Sequence, residues 1–173
     1  MAGAGIEVSL DAEYNKLLAA LQRASKPDLK AAAEFAGGEL LDISNQAFQD
    51  QADPATGKKW EDTRRRQLGL VSRILWDHGI LQGSLQYEGR NDGSAVLGSN
   101  LIYARIHQEG GKTGAHEIKP KRAGALRFNG RFAKKVRHPG SNIPARPYMG
   151  VPKDFDRRIL DDPYIQGLLG RFV

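Results

Sequence analysis

The spacing of apolar residues changes period along this chain, and that change restricts its folds more than any other feature. Ile6, Val8 and Leu10 alternate with Glu7 and Ser9, the pattern of a short half-buried strand. From Asp11 onward, Tyr14, Leu17, Leu18 and Leu21 recur at helical spacing, which predicts an amphipathic helix to about Ser25. Lys26-Pro27-Asp28 interrupts it, and a second helix follows with Leu29, Ala33, Ala36, Leu40, Ile43 and Ala47 down one face. Gly37-Gly38 lies inside that helix, either as a kink or as a place where another backbone comes close. Asp53-Pro54-Ala55-Thr56-Gly57 is a turn. Leu68, Val71, Ile74 and Leu75 predict a further helix to about His78, with Gly79 as its C-cap.

Past that point alternation takes over. Ile80–Tyr87 and Ala95–Leu97 are candidate strands around a turn at residues 88–93, and Leu101–Gln108 is a short helix closed by Gly110-Gly111. Leu126 and Phe128 alternate with Arg127, Asn129-Gly130 is a favoured hairpin turn, and Phe132–Val136 returns. Two short helices are expected near Asp154–Leu160 and Tyr164–Gly170. Helices grouped early and strands late predict an α+β fold. Its N-terminal helices pack on a mostly antiparallel sheet, and an extended basic hairpin protrudes at about residues 112–146. The 173 residues are the size of one domain, read as spanning 1–173.

Charge is segregated along the same axis. The net charge is +6, yet residues 112–146 carry ten basic side chains and one acidic, Glu117, while residues 1–57 carry nine acidic and four basic. Such asymmetry fits a basic surface aimed at an anionic partner, or a solvated arm without one. No run approaches the ~18 apolar residues of a membrane span. Met1–Ile6 lacks the start of a secretory signal. The absence of cysteine excludes disulfides, thiolate metal ligands and a cysteine nucleophile.

The residues specify no reaction. Gly111-Lys112-Thr113 lacks the upstream glycine of a phosphate loop, whose position holds Ile106. His78, His107, His116 and His138 contain no pair three to five residues apart, although His107 and His138 remain free to be spatial partners of other groups. Ser84 and Ser99 lack the frame of a strained nucleophile turn. Asp154/Asp156 and Asp161/Asp162 read as solvated helix ends. No catalytic residue, metal ligand or cofactor is therefore assigned.

Five phrases in order are more specific. They are Phe48 with Asp53-Pro54 and Gly57-Lys58-Lys59-Trp60; Ile74-Leu75-Trp76-Asp77-His78-Gly79-Ile80-Leu81; Val96-Leu97-Gly98-Ser99-Asn100; Tyr103-Ala104 with Ile106-His107-Gln108-Glu109-Gly110-Gly111; and Ile143-Pro144-Ala145-Arg146-Pro147-Tyr148-Met149-Gly150. This order resembles the phage virion morphogenesis family, the tail-completion proteins of Mu-like phages and prophages, over roughly residues 6–160. The resemblance implies a non-enzymatic structural protein at the head–tail junction that forms a ring, in the virion neck after assembly in the host cytoplasm. It further implies other copies, head–tail connector proteins and tail tube proteins as partners. A small basic DNA-binding domain is the alternative.

The residues of those phrases carry physical readings of their own. Trp60 is expected to anchor the core, and Tyr103 and His107 share a helical face. Pro144 and Pro147 hold Arg146 extended, either pointing outward beside Tyr148 as a stiff docking strand or folded onto its own domain. The expected interface is Lys119, Lys121, Arg122, Arg127, Lys134, Lys135, Arg137, Arg146 and Tyr148. Nine phosphate contacts would give a salt slope of about −8, a grip that resists the sliding a DNA conduit needs. That favours an acidic protein partner and leaves DNA to pass without specific binding.

Overall fold

The computed structural model describes residues 6–9, 28–70, 72–121, 124–128 and 130–168. The expected helix over 11–25, together with Arg122 and Asn129, lies outside the described residues.

Helix α1 (Leu29–Asp50) is the spine. Asp28 caps it, its Oδ1 accepting from the Ala31 amide at 3.0 Å. Gln51 closes it in the left-handed region at φ 53. The helix runs unbroken through Gly37-Gly38. Neither a kink nor a backbone contact at Gly37 accounts for the pair: a Cβ there would lie 2.6 Å from the Tyr87 ring. The close backbone approach is at Gly89, where a Cβ would sit 2.5 Å from the Glu34 amide nitrogen.

That helix lies on a three-stranded antiparallel sheet of order β1-β3-β2, formed by β1 (Ile6–Ser9), β2 (Leu85–Gly89) and β3 (Ala95–Ser99). Val8 and Tyr87 flank Leu97 in register. Ala95, Leu97 and Ser99 of the central strand are buried, as period-two alternation requires. The architecture is α+β, as expected.

Residues 68–78 depart from the expected helix. Helix α2 (Arg64–Gln67) ends before them, Leu68 and Leu70 are 62% and 65% exposed, and Leu75 takes φ 57, which a right-handed helix cannot contain. Gly79, expected as a C-cap, precedes α3 (Ile80–Gly83) at φ 71, so the expected strand over 80–87 begins as helix and pairs only from Leu85. The Ser84 and Ser99 hydroxyls bond to each other at 2.7 Å.

Helix α4 (Ala104–Glu109) leads into three nested antiparallel pairs. These are β4 (Gly111–Lys112) with β9 (Asn142–Ile143), β5 (His116–Ile118) with β8 (Val136–His138), and β6 (Leu126–Phe128) with β7 (Arg131–Ala133). Val136, expected in the same strand as Phe132, instead pairs with Ile118. Phe132 is 70% exposed, since the described sheet here is two strands wide. Helices α5 (Phe155–Asp161) and α6 (Pro163–Leu168) fall close to their expected places and return to α1, where Tyr164 meets Phe35 at 5.6 Å between ring centroids.

Trp60 packs edge-on against Phe48, with centroids 5.8 Å apart, and is 7% exposed. Trp60→Ala is expected to lower the free energy of unfolding by roughly 3–5 kcal/mol, measured by chemical denaturation. A loss under about 1 kcal/mol would mean that this ring is not an anchor.

Candidate functional site

The segment after β9 is extended because Pro144 and Pro147 fix φ and lack amide donors. The amides of Arg146, Tyr148 and Met149 find partners on the body of the protein. Arg146 N donates to the His107 carbonyl at 2.8 Å. The Gln108 side chain then behaves like a neighbouring strand. Its Oε1 accepts from Tyr148 N at 3.0 Å and Met149 N at 3.1 Å, and its Nε2 donates to the Met149 carbonyl at 2.6 Å. Trp60 Nε1 donates to the Pro147 carbonyl at 2.8 Å.

This fixes the direction of the two side chains expected at an interface. Arg146 is 6% exposed and its Nε donates to the Glu61 carbonyl at 3.0 Å. Burial weakens its hold on the proton, an effect partly offset by Glu61 and Asp62. Tyr148 is fully buried, its ring 5.1 Å from that of Phe48 and its hydroxyl donating to the Ala104 carbonyl at 3.0 Å. Burial first, and Tyr103 second, raise its pKa well above the usual phenol range. Of the two readings of this segment, the chain adopts the one folded onto its own domain. Arg146 and Tyr148 therefore leave the outward-facing set.

The other expected cations lie outside. Lys119 and Lys135 both reach Glu117, each at 3.1 Å and each about two-thirds exposed. Arg127 sits 5.8 Å from the Phe132 ring centroid. Lys121, Lys134 and Arg137 are exposed, and among the described residues no carboxylate lies within ion-pair distance of them. His116 and His138 face each other across β5 and β8 with stacked rings 5.0 Å apart. His116 Nδ1 donates to the Gly114 carbonyl at 3.1 Å, whereas His138 Nδ1 accepts from Gly140 N at 3.1 Å.

Behind the clamped segment is a cleft of about 390 Å³. Ile74, Trp76, Ile80 and Tyr103 form its apolar walls, Arg65 and Arg73 stand on its rim, and His107 and Arg146 form its inner end. Tyr103 packs edge-on against His107 at 6.0 Å, as their spacing predicted. His107 Nδ1 is buried without a hydrogen-bond partner among the described residues. Burial and, less strongly, Arg146 depress the His107 pKa. Most of its lining, from Ile74 to Leu81 with Tyr103, His107 and Arg146, lies in the ordered phrases of the sequence, but nothing in them marked a cleft, because these separate stretches of chain meet only in the fold.

The profile of the phage virion morphogenesis family matches residues 11–164. The chain belongs to that family. It is 37% identical over 129 residues to the "Putative capsid assembly protein G" of Escherichia phage Mu, an alignment covering 70% of this chain and 69% of the relative. No solved structure matches. Family membership gives the chain a structural or assembly role in building a phage particle. No helix among the described residues is long and apolar enough to cross a membrane.

The neutral form of His107 is favoured on folding, so the unfolded chain binds its proton first as pH falls. Stability should be full above about pH 6.5 and decline as pH drops from there toward the lower folded value. Denaturation midpoints at pH 7.5 and 5.5 should therefore differ less in His107→Gln than in the unaltered chain. Equal differences would show that the histidine is not coupled to folding.

Proposed function

We propose that this protein is a non-enzymatic structural component of the head–tail junction, completing the tail and acting in the neck as a ring of like copies that joins tail to head. One observation carries the reading. In the basic ladders the only acidic residue, Glu117, already serves two lysines, which leaves Lys121, Lys134 and Arg137 exposed and available to carboxylates of another molecule. Lys119, Lys135, Arg127 and, from the sequence alone, Arg122 complete that surface.

The partners we propose are adjacent copies, through their acidic N-terminal third, with connector and tail tube proteins above and below. Unlike surfaces meet in a head-to-tail ring, and a rotation that closes makes it finite. DNA passes through the ring without specific binding. Location in the virion neck, after assembly in the host cytoplasm, belongs to the same reading.

Reversing charge in Lys134→Glu/Lys135→Glu/Arg137→Glu should block the joining of heads to tails in a complementation assay. Unfolding free energy should move by no more than about 0.5 kcal/mol per site, as for exposed charges. Normal joining by this variant, or a failure to fold, would count against the assignment. Electron microscopy of the assembled protein should show closed rings.

Exposed Phe132 beside Arg127 favours a second reading, a stacking and phosphate-binding surface for DNA. Gel-shift titration across salt separates the two. DNA binding predicts a shift at low salt with a steep salt slope; no shift at low salt removes it.

A further inference from the structure

The cleft and one exposed corner of the same chain are complementary, and neither belongs to the basic ladders. Trp76, Ile80 and Tyr103 expose 40%, 57% and 39% of their surface around the cleft, an apolar patch of the kind that marks a contact site. Its charge is cationic. Arg65 and Arg73 stand at the rim, Asp77 is the one carboxylate in the lining, and Arg73 rides 5.4 Å over the Trp76 ring. Among the described residues neither rim arginine is held by a carboxylate.

The opposite chemistry, an exposed aromatic ring beside carboxylates, is found at the corner between α5 and α6. Tyr164 is 52% exposed there, immediately after Asp161, Asp162 and Pro163. Asp162 is occupied in bonding the Tyr164 amide at 2.8 Å, while Asp161 forms no ion pair among the described residues. Other exposed aromatic side chains are differently placed. Phe132 stands among cations, and Tyr87 lies against Gly37.

The two surfaces lie toward opposite ends of α1. The corner touches Phe35, and the cleft's inner end is fixed through Tyr148 to Phe48. That separation is roughly 20 Å along the helix, at 1.5 Å per residue. Socket and plug are different surfaces, so one such contact leaves a free plug on one copy and a free socket on the other, to which further copies can add head to tail.

We infer that the cleft is the socket for the Asp161–Tyr164 corner of a second copy, with Tyr164 entering the apolar walls and Asp161 meeting the rim arginines. This rests on the ring reading above and supplies a subunit contact for it. The chain has no cysteine, which makes the contact directly testable. When Ile80→Cys copies are mixed with Asp161→Cys copies under mild oxidation, a disulfide-linked dimer containing one of each should form. A Lys58→Cys variant in place of Asp161→Cys should give none.

Arg65→Glu/Arg73→Glu should weaken self-association by about tenfold, the scale of a reversed rim charge pair, and adding Asp161→Lys to the same chain should restore it. Self-association without the cross-link and indifferent to these reversals overturns this contact and leaves the ring reading standing. No self-association at any concentration, alone or with other virion proteins, overturns both. If the arginine reversals abolish binding of a different virion protein but spare self-association, that protein owns the cleft and the inference fails.

Discussion

The Gln108 side chain, gripping both faces of a two-residue stretch of backbone, holds the other parts of this protein in place. By accepting from Tyr148 and Met149 and donating back to Met149, it supplies the hydrogen bonds that an adjacent strand would have given. Around it, Trp60 and the Ala104 carbonyl tie down Pro147 and Tyr148. Leaving two buried amides unpaired costs on the order of 1–3 kcal/mol each, a large share of the stability of a domain this size. Here the C-terminal third is pinned to the long helix, the tryptophan turn and α4 at once.

That arrangement separates rigid from adaptable surface. Trp60, Ala104, Tyr148 and Met149 around the clamp are buried, and so is the Arg146 guanidinium, whose isolation in the interior would otherwise be unfavourable. The basic ladders extend away from the clamp through β4 and β9 and carry most of the excess charge of the chain. A two-stranded ladder has little core of its own and is marginal in water when isolated. Its cations are therefore mounted on a part of the molecule whose geometry depends on neighbouring contacts.

The sequence revealed what local rules decide and missed what distant contacts decide. Helix α1 was legible because Asp28 caps it and a continuous apolar stripe faces the sheet. The strand at Ala95–Ser99 and the two tail helices followed from period and punctuation in the same way. Residues 68–78 misled because their apolar groups do not share one face: Leu68 and Leu70 are exposed, Ile74 is buried, and Leu75 turns through φ 57 between core and surface. The prolines around Arg146 correctly implied a stiff, extended segment, but its direction is set by His107, Gln108 and Glu61, tens of residues away in sequence. Gln108 itself carries no local signature, since a glutamine that imitates a strand resembles any other glutamine on a short helix.

The long helix has a further mechanical consequence. Its 22 residues form an unbroken rod of about 33 Å with an aromatic contact toward each end. Such a rod is both yardstick and protractor. One inserted residue would lengthen it by about 1.5 Å and would also swing one end through about 100° relative to the other. The distance and relative aim of the two ends of the molecule thus cannot drift independently, and small insertions are confined to the loops outside it.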